Sequence, residues 1–377
     1  MEFKSWLNET FAKTEKKLEA TCKRVGDKIP YIPTDGRYTD HGAPNISSWT
    51  NGFWGGIMWQ LYHATKNKIY RQSAENLEKR LDNAFDNYVG LHHDVGFMYL
   101  HTAVANHRLT GNEQSFKRGL HAANLLAGRY NPSGDFIVAW NVESKGWMII
   151  DTMMNLPLLY WADQALGRPH YSYIANRHAD KAIEKLIRPD GSCNHIVVLD
   201  HHTGETLEVP GGQGYDTGSS WSRGQAWAIY GFSLCYHYTK QQRYLDAAKR
   251  VAHYFIANIA KTDYIPLCDF RAPKAPVIFD TTAGNIAMCG LLSIAEQVTE
   301  LEKDFYEDAA ISILKSMVAG NTDFNLDTDG VTINGTTAYH HNKGNHKGHK
   351  HHVPVIYGDY FFVEGLLRLM GKSFLIW

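Results

Sequence analysis

A chain of 377 residues with 38 basic and 39 acidic side chains is nearly neutral, with no basic excess to seek nucleic acid and no acidic tail that would stay unfolded. Its hydrophobic content of 44% fills an ample core, yet no apolar run reaches the length of a membrane span. The five scattered cysteines, with no CxxC pair, read as buried thiols of a reducing, cytoplasmic compartment rather than as a disulfide framework.

The chain opens on a lysine-rich amphipathic pattern over 3–24, which predicts a helix and not a basic-then-apolar leader. From there two kinds of segment alternate. Segments 51–64, 95–108, 152–165, 221–237, 281–297 and 358–370 are apolar on most sides. Segments 3–24, 68–88, 113–129, 170–187, 241–259 and 302–318 carry one apolar stripe at the 3.6-residue period. Short polar turns, at 65–70, 109–113 and 166–171 among others, join an apolar helix to an amphipathic one. The second helix tends to open with an aromatic followed by a small residue a turn later, as in Tyr70 and Ala74, Tyr171 and Ala175, Tyr244 and Ala247, Tyr306 and Ala309. A helix that is apolar on most sides must be surrounded by protein. About twelve helices of two kinds therefore predict an inner ring within an outer ring. The expected fold is all-α: an (α/α)6 barrel of six helical hairpins forming a single domain over 1–377, with a minor β-hairpin at 194–199 and 206–209 in one loop.

Chemistry concentrates where loops run into the apolar helices. These junctions read SSWTNGFWGG from Ser47, HHDVGF from His92, IIDTMM from Ile149, SSWSRGQAW from Ser219, FDTTAGN from Phe279 and IYGDYFF from Ile356. If the inner helices run parallel, all six junctions surround one basin, and the helix N-termini there favour an anion. Ten Trp and 21 Tyr supply flat rings for the C–H faces of a sugar. An aspartate at a helix start is first of all an N-cap, worth about 1 kcal/mol. Asp280 and Asp359 are read so. Asp94 and Asp151 stand apart through their company: His92 and His93 precede one, and Ile149 and Ile150 precede the other, an apolar setting that raises a carboxyl pKa. Arg223, close to Trp221 and Trp227, offers a fixed cation to a carboxylate.

Two tempting motifs carry less. The histidine-rich stretch 340–352 contains no carboxylate or thiolate and is studded with lysine, so it reads as a solvated cationic loop and no metal site is expected. The run 210–214, PGGQG, lacks the GK[ST] that a phosphate cradle needs and reads as a flexible loop carrying Gln213. No Gly-x-Ser-x-Gly elbow is present.

SWTNGFWGG, HHDVGFMY, IIDTMMNLPLLYWA and GSSWSRGQAWAIYGF, in this order, resemble the unsaturated glucuronyl hydrolases, glycoside hydrolase family 88. The resemblance implies an (α/α)6 barrel and removal of a 4,5-unsaturated uronic acid from the non-reducing end of lyase-generated glycosaminoglycan-type oligosaccharides. It implies that Asp94 and Asp151 are the catalytic pair, with Asp151 moving the proton. By the same resemblance, Trp49, His93, Trp140, His195, Gln213, Trp221, Arg223, Trp227 and Tyr339 line the sugar site. Neither a metal nor an organic cofactor is implied, and the expected state is a monomer or weak homodimer with no nucleic-acid or membrane partner. The lysines of 342–350, just after Tyr339, predict attraction of a sulfated leaving sugar. Three alternatives stand beside this reading: an unsaturated rhamnogalacturonyl hydrolase of family 105, a sugar epimerase on the same barrel, and a catalytically silent glycan-binding protein.

Overall fold

The computed structural model describes residues 2–142, 145–340 and 349–377. In chain order the helices are α1 (Glu2–Val25), α2 (Phe53–Thr65), α3 (Lys68–Arg80), the short α4 (Asp82–Asp86), α5 (Val95–Tyr99), α6 (Ala105–Thr110), α7 (Glu113–Ala127), α8 (Pro157–Leu166) and α9 (His170–Lys185). They continue with α10 (Ser222–Thr239), α11 (Gln242–Ile259), α12 (Thr281–Ala295), α13 (Glu300–Gly320) and α14 (Ile356–Leu369). The strands are β1 (Tyr130–Asn131), β2 (Phe136–Ile137), β3 (Gly146–Ile149), β4 (Ile196–Leu199) and β5 (Thr206–Glu208).

The expected ring of helices is present. Inner helices touch in sequence, α10 to α12, α12 to α14, and α14 back to α2, while α10 also packs on α8 and on the turn before it. Burial separates the two layers: all fifteen residues of α12 are buried, whereas α3 buries only Tyr70, Ala74, Leu77 and Glu78. Short turns lead from α2 to α3, α6 to α7, α8 to α9 and α10 to α11. In each, the residue after the inner helix is left-handed: Lys66, Gly111, Gly167 and Lys240. That conformation lets the last carbonyls bond back and stops the helix at one level. The starts of the inner helices meet: Arg223 in the first turn of α10 binds Asp280, the cap of α12, and stacks on Tyr357 in the first turn of α14.

Three segments differ from the expected pattern. Helix 95–108 is broken by a π-helical turn, Leu100–Val104, where the side chains of His101 and Thr102 bond the carbonyls of Phe97 and Met98 (2.7 Å each). The helix expected from 152 instead begins as a 3-10 turn, Ile150–Met154, and α8 starts only at Pro157, whose ring suits a first helical turn. The β-hairpin forms as β4 and β5, but a third strand joins it, β3 pairing antiparallel with β4. The apolar run of β3 leads straight into the 3-10 turn, so periodicity alone could not separate strand from helix.

The other end of the barrel is closed by the chain itself. Trp377, fully buried, stacks on Phe361 (5.7 Å between ring centres) and lies 4.5 Å from His101 and 5.9 Å from Tyr230. Its indole N–H donates to Glu364 Oε2 (2.9 Å), and Arg108 donates to the carbonyls of Leu375, Ile376 and Trp377. Trp377→Ala is expected to lower unfolding free energy by about 3–5 kcal/mol, the usual loss for a large buried aromatic. Trp377→Phe, which keeps the stack and loses the N–H, should lose less. Urea unfolding of the three proteins checks the order.

Candidate active site

The β3–β4 ladder builds the first half of the site. Ile149 pairs with Ile196, and the Ile150 N–H donates to the His195 carbonyl (3.0 Å). Asp151 and His195, which flank this step, are thereby brought together, His195 Nε2 lying 3.4 Å from Asp151 Oδ2. The His195 ring is oriented from behind: the Gln213 N–H donates to its Nδ1 (2.9 Å). In the neutral ring the proton therefore sits on Nε2, facing Asp151. Only glycine allows this approach, because a Cβ on Gly212 (φ +61°) would lie 2.1 Å from His195 Nδ1. The 210–214 loop is thus a clamp on His195.

Asp94 forms the second half. It occupies the N-cap position of α5, but its carboxylate caps nothing. Oδ1 accepts from Asn155 Nδ2 (3.1 Å), and Oδ2 lies 3.4 Å from His93 Nε2 and 3.5 Å from His92 Nδ1. The same Asn155 amide donates to the Asp151 carbonyl (3.2 Å), while Asn155 Oδ1 accepts the Phe97 N–H (2.8 Å). One buried amide therefore spans both aspartate segments. His93 is held by a 2.7 Å bond between its Nδ1 and Thr152 Oγ1.

Burial sets the protonation states. It holds the Asp94 carboxyl well above the usual carboxylate range, and the charge of Asp151 pushes the same way; Asn155 and Arg129 offset this in part. Burial also takes His92 down to about 4 and His93 well below its ordinary value, with Arg129 adding to both, so these rings are neutral near pH 7. The elevated carboxyl is thus Asp94, beside the histidines. Of the two isoleucines before Asp151, Ile149 packs against Ala139 and Ile196, and Ile150 enters the main core.

Around this pair the other expected residues take different places. The Trp221 ring lies 4.2 Å from His195. Arg223, fully buried, is stacked between Trp221 (4.6 Å) and Tyr357 (5.2 Å). Its guanidinium is taken up by Asp280 (2.7 Å), Thr282 Oγ1 (3.2 Å) and the carbonyls of Thr336 and Thr337. The fixed cation expected here is present, and the carboxylate it holds is that of Asp280, in a buried ion pair. Trp49 is half-buried and stacks on Tyr357 (5.0 Å) beside Phe97 (5.4 Å). Trp227 lies deeper, with no exposed surface, against Phe97 and Phe361. Gln213 Nε2 donates to the Thr337 carbonyl (2.7 Å), and Tyr339 N–H to the Gln213 carbonyl (2.9 Å). Trp140 stands at the rim, 5.5 Å from Trp147. Asp280 does cap α12 through the Thr282 N–H. Asp359 does not cap α14; buried within its first turns, it accepts from the Val331 and Thr332 N–H groups and from Tyr38.

Several buried polar atoms in this group have no hydrogen-bond partner among the described residues: Asp151 Oδ2, His195 Nε2, Trp221 Nε1, Trp227 Nε1 and the Tyr357 hydroxyl. Buried polar groups are normally paired, so their clustering marks surface shaped for something outside the chain. Among the described residues, His92, His93 and Asp94 place three potential metal-ligand atoms within 4.8 Å of one another. Burial there favours the protonated carboxyl over the anion a cation needs. Of the histidine-rich loop, residues 341–348 lie outside the described residues, and with them most of the expected sulfate-attracting lysines. On its flanks His340 meets the Tyr215 carbonyl and His351 the carbonyls of Ala338 and Tyr339.

Sequence reasoning missed Asn155, Thr152 and Tyr357. Asn155 had left a trace, a lone amide in the apolar run Met153-Met154-Asn155-Leu156, four residues after Asp151. Thr152 and Tyr357 had not, because contacts across the ring do not show in a linear pattern.

The model of glycosyl hydrolase family 88 matches residues 21–234, more than half of the chain. The chain belongs to this family. The family 88 chain is 35% identical over 356 residues to an unsaturated glucuronyl hydrolase of Bacillus sp. (strain GL1), covering 92% of each. It is 29% identical to an unsaturated chondroitin disaccharide hydrolase of Streptococcus agalactiae serotype III (strain NEM316), covering 99% and 96% of the two chains. Its fold superposes on the crystal structure of the Bacillus sp. GL1 unsaturated glucuronyl hydrolase with a TM-score of 0.90, at 32% identity over 96% of each chain. The family 88 chain is accordingly a glycoside hydrolase on a helical barrel.

The raised Asp94 pKa carries a stability consequence. Below the unfolded value near 3.8 the group is protonated in both states and contributes nothing. As pH rises toward the folded value the unfolded state ionises first, so folding loses stability until the folded carboxyl ionises too. Asp94→Asn lacks this penalty. It should be the more stable protein at about pH 8, with the gap closing toward about pH 4, as read from urea midpoints across that range.

Proposed function

We propose that this family 88 enzyme removes the 4,5-unsaturated uronic acid from the non-reducing end of lyase-generated glycosaminoglycan-type oligosaccharides. The observation that carries the residue roles is the pairing of two differently placed carboxyls: Asp94, buried and kept protonated, and Asp151, with an unpartnered Oδ2 facing His195. The C4=C5 bond is a vinyl ether bearing a carboxylate. Asp151 gives a proton to C4, and oxocarbenium character develops at C5. Water adds at C5 and returns a proton to Asp151. The hemiketal opens to a ketone at C5, and the hemiacetal left at C1 collapses to an aldehyde, releasing the neighbouring sugar with its hydroxyl restored. One water is consumed and the carboxyl ends as it began.

The remaining roles follow from position. Protonated Asp94 donates to a substrate hydroxyl, with His93 and Asn155 fixing its direction. Nε2 of His195 and Nε1 of Trp221 donate to substrate oxygens. Trp49 and Trp140 offer ring faces to sugar, Gln213 and Tyr339 hold the wall opposite, and Arg223 with Trp227 fixes the base of the basin. The reading keeps the expectation of a single catalytic domain acting as a monomer or weak homodimer. Five free, buried cysteines support work in a reducing, cytoplasmic setting. No helix among the described residues is long and apolar enough to cross a membrane.

Asp151→Asn should fold normally and lose at least about 10²-fold in kcat, the ordinary scale of general acid–base catalysis. The assay is loss of the ultraviolet absorbance of the unsaturated uronate in lyase-produced disaccharides. Near wild-type turnover would rule out the mechanism. Asn155→Asp keeps the acceptor for the Phe97 N–H but removes the donor shared by the two aspartate segments. It should lower kcat by about tenfold or more and shift the pH–rate profile, whereas a purely structural role would change only the unfolding midpoint.

A further inference from the structure

Arg129, between α7 and β1, is half-buried beside the catalytic pair. It donates to the carbonyls of Val138 (2.7 Å) and Ala139 (3.1 Å) and to Asn141 Oδ1 (2.6 Å). About two of its five N–H groups remain uncommitted. The Ala139 carbonyl also accepts the His93 N–H (3.1 Å), so one backbone group separates Arg129 from the Asp94 segment. No carboxylate among the described residues forms an ion pair with it; burial brings its pKa down to about 10, and Asp94 is the one carboxylate whose charge opposes that shift. A partly buried cation without a direct counter-ion costs stability, which makes a functional partner the economical explanation.

The surface around it fits such a partner. A cavity of about 570 Å3 is lined by Arg129, Tyr130, Asn131, Trp140 and His201, among others. A second, of about 310 Å3, is lined by His92, Asn124 and Arg129, among others. The two share Gly128, Arg129 and Asn141, and so meet at the guanidinium. An indole face, amides and a phenol suit a sugar ring, and a guanidinium fork suits an anionic oxygen group.

We propose that this junction is an anion subsite for the leaving sugar, with Arg129 as receptor and a sulfate ester or carboxylate as ligand. The assignment rests on the hydration reading above and takes the Arg129 rim, beside Asp94 and Trp140, as the side of the leaving sugar. It concerns Arg129 alone and does not involve the lysine-bearing loop after Tyr339.

The experiment has a kinetic and a binding arm. In the first, kcat/KM is measured on unsaturated disaccharides that differ only by a sulfate on the hexosamine, and on an unsulfated unsaturated tetrasaccharide, whose nearest acid is the carboxylate of its third sugar. Wild type should favour at least one acidic substrate over the neutral disaccharide. Arg129→Gln should lower that ratio about tenfold, Arg129→Lys should retain most of it, and added salt should erode it. The substrate whose ratio falls identifies the anion. An equal loss on neutral and acidic substrates, as expected if Arg129 acts only on Asp94 or on the uronate itself, overturns the proposal, and so does a wild type that does not discriminate. In the second arm, calorimetry with free N-acetylgalactosamine sulfate and its unsulfated parent requires no turnover. When the kinetics identify sulfate, it should show binding that weakens about tenfold in Arg129→Gln; equal binding by both proteins overturns the sulfate assignment. A wild type that binds the sulfated sugar yet turns over no unsaturated disaccharide would instead remove the functional reading and leave the subsite standing.

Discussion

Everything at the open end of the barrel hangs from the guanidinium of Arg223. It leaves the first turn of α10, pairs with the cap of α12 at Asp280, binds the 336–337 backbone and is stacked on Tyr357 of α14. Its other face holds Trp221, which packs against His195, which in turn faces Asp151. Removing one partner of a buried ion pair commonly costs 3–5 kcal/mol, because the survivor is left charged and unpaired. Here the loss would also release three inner helices from a common anchor. The pair is thus better understood as the register pin of the basin than as a contact kept for substrate.

Low dielectric does the rest. Burial and the nearby charge of Asp151 both favour the protonated form of the Asp94 carboxyl. The flanking histidines, neutral for the same reason, cannot compensate by becoming cations. Asp94 thus keeps its proton through depth of burial, beside imidazole rings that stay neutral.

Much of this was legible before any coordinates. Helix count and layering follow from alternation of all-round apolar and one-sided segments, which records burial directly. Asp94 and Asp151 stood out through their company, His92 and His93 before one and Ile149 and Ile150 before the other. What stayed hidden depends on partners distant in sequence. Arg223 showed no partner of its own because Asp280, 57 positions away, is indistinguishable from an ordinary cap in one dimension. Asp359 looked like a cap because its true partners, Val331 and Thr332, lie in a loop without periodicity. Strand β3 was hidden because four residues give too little pattern to separate it from the turn it feeds.

The stopper formed by Trp377 leaves the barrel with a single way in. With its indole sealed against Phe361 and His101, the barrel is a cup and not a tube, so no chain can be threaded through it. Whatever enters does so from the end at which the inner helices begin and leaves by the same way.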